Sequence, residues 1–594
     1  MCGFTGVVSF NKIDQKLVEN SNKISICRGP DSLTRLSGNE ELNYELIFNR
    51  LAIVDLNNNA NQPMYSKKFN SVIMFNGEIY NSRELRNELD NLYEFTTSHS
   101  DTETLFAGLN IYGIDFINRI EGQFSIFYWK KFDQKIYLIK DRIGQKPLYY
   151  NLSDNKLNFG SNLKSIYQLN QKNTLDRDLI NEYLLHGVNF SPNTIFKEIK
   201  SLNEGSYLEI DYVGGRFRSK LLSYWAPSSF VENKNFNEKE FLDIFHSSVS
   251  KRLFSDVPIA CFLSGGLDST SIVKSLNDSG NTINTFSVVT DKSEINEKKY
   301  IDKVVQKYDT NHTEVEVSSK ISNQLVYKSL DSLDEPYGDP SIVPTYLLSN
   351  LISSSYKVAL SGDGGDELLG GYERMLNHLK KRNRFDIFLS SLDRFYPSIF
   401  GSGIKLKSRS QDLLSSYFGY LKDENFGSLL FEKNYKENTE LIDLEEQIYK
   451  SIMCNEYKFY LSNQMMFKID RASMANSLEV RSPFVDHKLV EYSLGHSVDY
   501  LSPKLPKKIL IQYLSSDFED NFLHRPKQGF VFDYKTWVFS NLTEIYELIE
   551  SSEISNFYNL DRFFKLKNIK SRINSLRIWR VFVLANYLSR IKSQ

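Results

Sequence analysis

The sequence predicts two domains of different architecture, a layered α+β unit followed by an α/β unit around a parallel sheet. Three observations carry this. The chain has 594 residues, beyond the length at which one hydrophobic core keeps growing. Roughly its first 200 residues hold short β-branched and aromatic runs bounded by Asn, Gly and Asp, the composition of strands and turns. Further on the rhythm changes to strands alternating with helices, the pattern of crossover connections in a parallel sheet.

In the first part, "FTGVVSF", "YELIFNRLAIVD", "NSVIMFNGEIYN", "GQFSIFYW" and "QKIYLIKD" read as strands. "NSRELRNELD" and "SDTETLFAGLNIYG" read as helices between them, the second opened by Ser100-Asp101 as an N-cap signal. "LNEGSYLEIDYVGGRFRSKLLSYW" reads as a Gly-containing hairpin, after which "APSSFVENKNFNEKE" turns polar. The expected organisation is a first domain over 1–215, a linker over 216–235 and a second domain over 236–594. In the second domain "NEKEFLDIFHSSVSKRL" is an amphipathic helix and "VPIACFL" a buried strand; a Gly-rich turn and the helix "DSTSIVKSLN" follow. The strands "INTFSVV", "HTEVEV" and "YKVALSG" come next, separated by helices, and from about residue 370 to 480 the pattern is helical.

Composition narrows the function. Net charge is −2, from 72 basic and 74 acidic residues, which leaves no electrostatic footprint for nucleic acid and no basic cluster for a membrane surface. Cys2, Cys27, Cys261 and Cys454 are far apart, and the eight histidines form no zinc-like cluster, so neither a disulfide framework nor a structural zinc is expected. The apolar start lacks a basic n-region and a cleavage site, and the longest apolar runs, such as "VFVLANYL", fall short of a membrane span. A soluble cytoplasmic protein is the expectation.

Five stretches carry chemistry. Cys2 stands directly behind Met1; with Met1 removed it has both a thiol and a free α-amine, which titrates near roughly 7.7–8.0 and can take the thiol proton. "SGGLDST" (Ser264–Thr270) follows a buried strand, so backbone N–H groups and a helix N-terminus meet there, a site for phosphate. It lacks the GKS/T of a Walker loop, and its Ser-Gly-Gly-x-Asp-Ser order resembles the loop of ATP pyrophosphatases. "LSGDGGDELLGGY" (Leu360–Tyr372) gathers Asp363, Asp366 and Glu367 at another strand end, and carboxylates so crowded need a cation or a partner, or they repel. A Mg²⁺ shared by Asp268 and Asp366 would make the two loops one site. "DRASMANSLEVRSPFVD" (Asp470–Asp486) reads as a buried ion-pair scaffold, and Lys527 in "HRPKQGF" as a charge for pyrophosphate.

Together these resemble the glutamine-dependent asparagine synthetases of bacterial type over almost the whole chain. The matching motifs, in order, are "MCGFTGVV", "RGPD" (Arg28–Asp31), "RLAIVD" (Arg50–Asp55), "FNGEIYN" (Phe75–Asn81), "SDTE" (Ser100–Glu103), "DRIGQKPLYY", "LSGGLDST", "LSGDGGDELLGGY" and "DRASMANSLEVRSPF". The resemblance implies an Ntn-type glutaminase domain with Cys2 as nucleophile and an ATP pyrophosphatase-like synthetase domain. It implies that Asn76 and Gly77 hold the oxyanion, Arg50 the glutamine carboxylate, and Asp101 and Glu78 its α-amine, with Leu51 and Val54 lining the pocket. For ATP it implies Phe262, Ser264, Gly265, Gly266, Asp268, Ser269, Val288, Ser361 and Gly362. Mg²⁺ falls to Asp268 and Asp366, phosphate charge to Lys527, and assistance of the ammonia step to Asp363. Ammonia would pass between the sites internally. Implied partners are glutamine, ATP and aspartate, or another carboxylate such as a nucleotide-linked sugar acid; a homodimer is compatible with the family but not specified by the sequence. The chain departs from the family pattern at Cys27 and Phe48, each in a His place, at His99 for Gly, and at Asp363 for Glu.

Overall fold

The structure, a computed structural model, describes residues 2–170, 172–290, 297–317, 321–376, 384–392, 396–410, 412–430, 440–444, 447–498, 505–525 and 532–591. Among them the strands up to Ser223 form two antiparallel six-stranded sheets. The first places Gly3–Ser9 between Asn43–Arg50 and Lys156–Gly160; the second places Gly122–Lys130 between Ser71–Ile79 and Lys135–Lys140. Side chains alternate along each strand, and both faces are covered. Phe4 and Val8 of the first sheet meet Val72, Met74, Phe127 and Trp129 of the second, with Phe127 stacked on Phe159 at 4.3 Å. The opposite face of the second sheet, Ile73, Phe75, Phe124 and Ile126, packs on Leu85, Leu105, Phe106 and Leu109 of the helices Ser82–Leu89 and Asp101–Tyr112. Val7 and Ile47 look the other way, toward Val18, Leu163 and Ile166 on helices. The result is helix, sheet, sheet, helix, the layered unit expected. Ser100 caps the helix Asp101–Tyr112, accepting from Glu103 N. The hairpin Ser206–Val213/Arg216–Ser223 extends the second sheet, so the stretch expected as a linker opens with a paired strand. The hairpin is where the sequence reads one, and its outer strand is largely exposed.

The third sheet is all parallel, in the order Asn311–Val317, Asn284–Thr290, Ile259–Phe262, Val358–Leu360, Glu479–Arg481. The chain enters at Ile259–Phe262, runs outward by two crossovers, then returns to Val358–Leu360 on the other side of its starting strand. These two neighbours make the topological switch point, where crevices open beyond the strand ends in such sheets. Both Gly-rich loops leave from it.

The two halves are joined by charges withdrawn from water. Arg28 forms a bidentate pair with Asp470 at 2.8 and 3.0 Å, both nearly fully buried, and its Nε also donates to the Cys2 carbonyl at 3.2 Å. Arg471 bonds Asp334 at 2.8 Å and the Tyr149 hydroxyl. Arg481, wholly buried, pairs with Glu479 at 2.6 Å and with Glu78 of the first half at 3.0 Å, and donates to the Arg252 and Phe254 carbonyls. Asp486 pairs with Arg252 at 2.9 Å. The Asp470–Asp486 segment is thus an ion-pair scaffold, as its composition suggests. Among the described residues no helix is long and apolar enough to cross a membrane.

Burial alone would raise the Asp470 carboxyl, yet Arg28, with Arg471 and Lys146 behind it, holds it below its ordinary value. Removing one partner of a buried pair strands the other, at a cost of roughly 3–5 kcal/mol. Asp470→Ala is therefore expected to lower the denaturant midpoint by that order. A carboxyl depressed in the folded state contributes stability above its ordinary pKa and loses it in acid, so the gap to the parent protein should narrow below about pH 4. Unfolding curves at several pH values check both.

Candidate active sites

The first candidate site is assembled at the open end of Gly3–Ser9. Cys2 is buried, its backbone N–H donates to Asn76 Oδ1 at 3.0 Å, and its Sγ lies 4.0 Å from the Leu51 carbonyl. Burial pushes its thiol up, so a thiolate there requires a base. Asn76 and Gly77 sit on Ser71–Ile79, and a Cβ on Gly77 would run into the Gln123 carbonyl of the adjoining strand. Only glycine lets the two backbones approach so closely.

Around Cys2 the remaining expected residues converge. Arg50 ends its strand and folds under the following loop, where Nη1 donates to the Asn57 carbonyl at 2.9 Å and Asn61 Oδ1 at 2.8 Å. Its Nη2 serves the carbonyls of Val54, at 3.3 Å, and Asp55. Leu51 and Val54 are buried beside it. Asp101, at a helix N-terminus, accepts from Ile79 N at 3.1 Å, and burial pushes its carboxyl up to about 6. Glu78 engages Arg481 through Oε2, while its buried Oε1 has no donor among the described residues. Burial raises this carboxyl well above its usual range, against the pull of Arg481. His99 turns to Asp256, Nε2 to Oδ2 at 2.6 Å, and the same carboxylate accepts from Asp55 N at 2.7 Å. The chain's departure from Gly at this position thus links the first half of the chain to the segment leading into Ile259–Phe262.

The second candidate site lies at the switch point. After Phe262, Gly265 takes φ +67, a left-handed conformation that suits glycine, and helix Leu267–Asp278 begins. Ser264 Oγ accepts from Gly266 N at 3.2 Å and bonds Ser269 Oγ at 3.2 Å, which closes the loop on itself. Val288 lies on the neighbouring strand, half-buried. The second loop comes against the first: a Cβ on Gly362 would stand 3.0 Å from Asp268 Cβ and from Ser269 N, and one on Gly365 2.5 Å from Asp268 Oδ1. Ser361 donates to Asp363 of its own loop, and Asp363 N donates back to Ser361 Oγ at 3.3 Å.

Asp268 and Asp366 converge on one ammonium. Lys507 Nζ bonds Asp268 and lies 2.6 Å from Asp366 Oδ1, in a side chain only 8% exposed. Burial opposes its charge, but the two carboxylates win and raise its pKa above the ordinary lysine range. Two carboxylates facing a common point fit magnesium, which favours carboxylate and phosphate oxygens. Lys527, expected as the phosphate cation, lies outside the described residues. Lys507 escaped sequence reasoning because "LPKKILIQYL" is an unremarked helix start; its left-handed φ of +56 was not legible there.

Two family profiles cover the chain: a glutamine amidotransferase domain matches residues 1–225 and asparagine synthase matches 240–584. The chain is 28% identical to asparagine synthetase [glutamine-hydrolyzing] 1 of Bacillus subtilis, over 98% of this chain and 96% of that protein. It is 30% identical to putative asparagine synthetase [glutamine-hydrolyzing] 2 of Methanocaldococcus jannaschii, over 80% of this chain and 98% of that protein.

Lys507→Met removes the ammonium that the two carboxylates share. The expected result is a lower melting midpoint in chelator and a larger rise on adding Mg²⁺ than the parent protein shows, up to about 2.7 kcal/mol at a hundredfold excess over Kd. A rise no larger than the parent's would contradict a shared cation position.

Proposed function

The chain belongs to the asparagine synthase family, and on that premise we propose that it transfers the amide nitrogen of glutamine to the side-chain carboxylate of aspartate, with ATP as activator. Glutamate, asparagine, AMP and pyrophosphate are the products. The observation that carries this reading is the joining in one chain of a buried Cys2 beside Asn76 and Gly77 with two Gly-rich loops whose acids converge at a switch point.

In the glutaminase half, removal of Met1 turns the Cys2 nitrogen into an amine, the base that the buried thiol needs. The thiolate attacks the glutamine amide carbon, and the tetrahedral oxyanion takes hydrogen bonds from the Asn76 side chain and Gly77 N–H. The C–N bond breaks, ammonia leaves with the transferred proton, and water hydrolyses the thioester to glutamate. Arg50 takes the glutamine carboxylate by exchanging loop carbonyls for it, a task suited to a planar fork. The α-ammonium falls to Asp101 and to the open Oε1 of Glu78, whose negative charge such a ligand restores.

In the synthetase half, the loop Ser264–Ser269 and its helix N-terminus take the phosphates, with Phe262, Val288, Ser361 and Gly362 around the nucleoside. Asp268 and Asp366 would hold magnesium, which when bound neutralises phosphate charge. The aspartate carboxylate attacks the α-phosphorus and pyrophosphate leaves; ammonia arriving through the interior then displaces AMP from the mixed anhydride. Asp363, one methylene shorter than Glu and tied to Ser361, receives the ammonia proton in this reading.

Purified protein given Mg²⁺-ATP and glutamine is expected to release pyrophosphate only when aspartate is present, with asparagine formed in equal amount. Pyrophosphate release that ignores aspartate overturns the choice of acceptor. Cys2→Ala should lower glutamine-driven synthesis by about a thousandfold or more, the scale of losing a covalent nucleophile. Ammonia-driven synthesis should persist in that variant, and equal loss of both contradicts the division of labour.

A further inference from the structure

Arg525 follows the short helix Asp520–Leu523, in the stretch "HRPKQGF", where the sequence singles out Lys527 and not Arg525. Its side chain is 7% exposed. The guanidinium lies over the Tyr300 ring, 4.3 Å from its centroid, with Phe522 on a second side at 5.3 Å and the two rings edge to face. Its nearest carboxylate, Glu297, stays 3.9 Å from Nη2, beyond hydrogen-bond distance. Nη1 is buried and has no hydrogen-bond partner among the described residues. Burying a charged donor without a partner is costly, and a bound anion is one way in which a native site offsets that cost.

Its position says what that is. A Cβ on Gly266 would come 3.5 Å from Arg525 Nη2, so the guanidinium stands directly against the N-cap of helix Leu267–Asp278. The first turn of helix Lys298–Tyr308 also packs on this loop, where a Cβ on Gly265 would meet Ile301 N at 2.9 Å. Aromatic rings therefore fix the fork while the loop's backbone N–H groups lie beside it. Helix N-terminus, Gly-rich backbone and a desolvated guanidinium together select a phosphate chain, which accepts two parallel N–H bonds from arginine.

We propose that Arg525 is a phosphate-binding residue of the synthetase site, holding the phosphate chain of the nucleotide and the pyrophosphate that leaves. This rests on the ATP reading above. Glu297, pushed up to about 7 by burial against the pull of Arg525, is a weak competitor for the fork. Lys507 neutralises Asp268 and Asp366, which leaves Arg525 as a cation with donor capacity to spare among the described residues.

Calorimetric titration of the full chain in Mg²⁺ buffer with inorganic pyrophosphate, α,β-methylene-ATP and adenosine tests this. In Arg525→Gln, pyrophosphate and the ATP analogue should bind roughly 10–100-fold more weakly, the range for a hydrogen-bonded charge, with adenosine unchanged. Arg525→Lys keeps the cation without the fork and should fall between the two. Unchanged glutamine hydrolysis in both variants reports an intact fold; should Gln impair folding, the Lys variant carries the test. Pyrophosphate affinity equal to that of the parent in a folded variant overturns the role of Arg525 while leaving the ATP reading standing. A parent protein that binds neither the analogue nor pyrophosphate overturns both.

Discussion

Arg481 is the point on which the two halves of the molecule depend. Its backbone carbonyl accepts from Ser361 N at 3.0 Å, at the root of the second Gly-rich loop. Its side chain, excluded from water, reaches Glu78 on the glutaminase strand that also carries Asn76 and Gly77. A guanidinium in such a place must fill its donors, and it does so with Glu479, Glu78 and the carbonyls of Arg252 and Phe254. The geometry leaves little freedom: moving one half relative to the other breaks a buried charge pair. Arg28 repeats the device, with one fork on Asp470 and its Nε on the carbonyl of Cys2 itself.

Close backbone approach is the second constraint. Gly77 lets two strands meet beside Cys2, and Gly362 and Gly365 let the second loop lie on Asp268 of the first. Side chains at these points would separate Asp268 from Asp366, and Lys507 could not bridge them. The parallel order of the sheet puts both loops at adjacent strand ends, so one cation can serve acids almost a hundred residues apart in sequence.

Much of this was legible in the sequence, because local rules carry it. Loops of Gly with Ser and Asp after buried strands announce their own backbone conformation, and alternation of strand and helix announces the parallel sheet. Cys2 is conspicuous from its position alone. What sequence did not disclose depends on distant packing. The hairpin was legible, but the expected boundary at 215/216 cuts it in two, since its exposed edge strand Arg216–Ser223 is polar while pairing fully with its partner. Lys507 carries no motif, and "HRPKQGF" points to Lys527 rather than Arg525, since a cation is defined by the carboxylates and loops that fold around it. Glu78 was expected at the glutamine amine, but sequence could not tell that one of its oxygens is engaged by an arginine 403 residues further along the chain.

If the two sites built into one buried interface work as a single transfer device, nitrogen passes between them without meeting solvent. The most direct measurement is asparagine synthesis from glutamine labelled with ¹⁵N in its amide, in the presence of excess unlabelled ammonium at a pH where that ammonium competes poorly as a substrate. The account predicts asparagine whose side-chain nitrogen carries the glutamine label almost undiluted. Label diluted to the ratio of the bulk ammonium would mean that nitrogen passes through solvent, and would contradict the account.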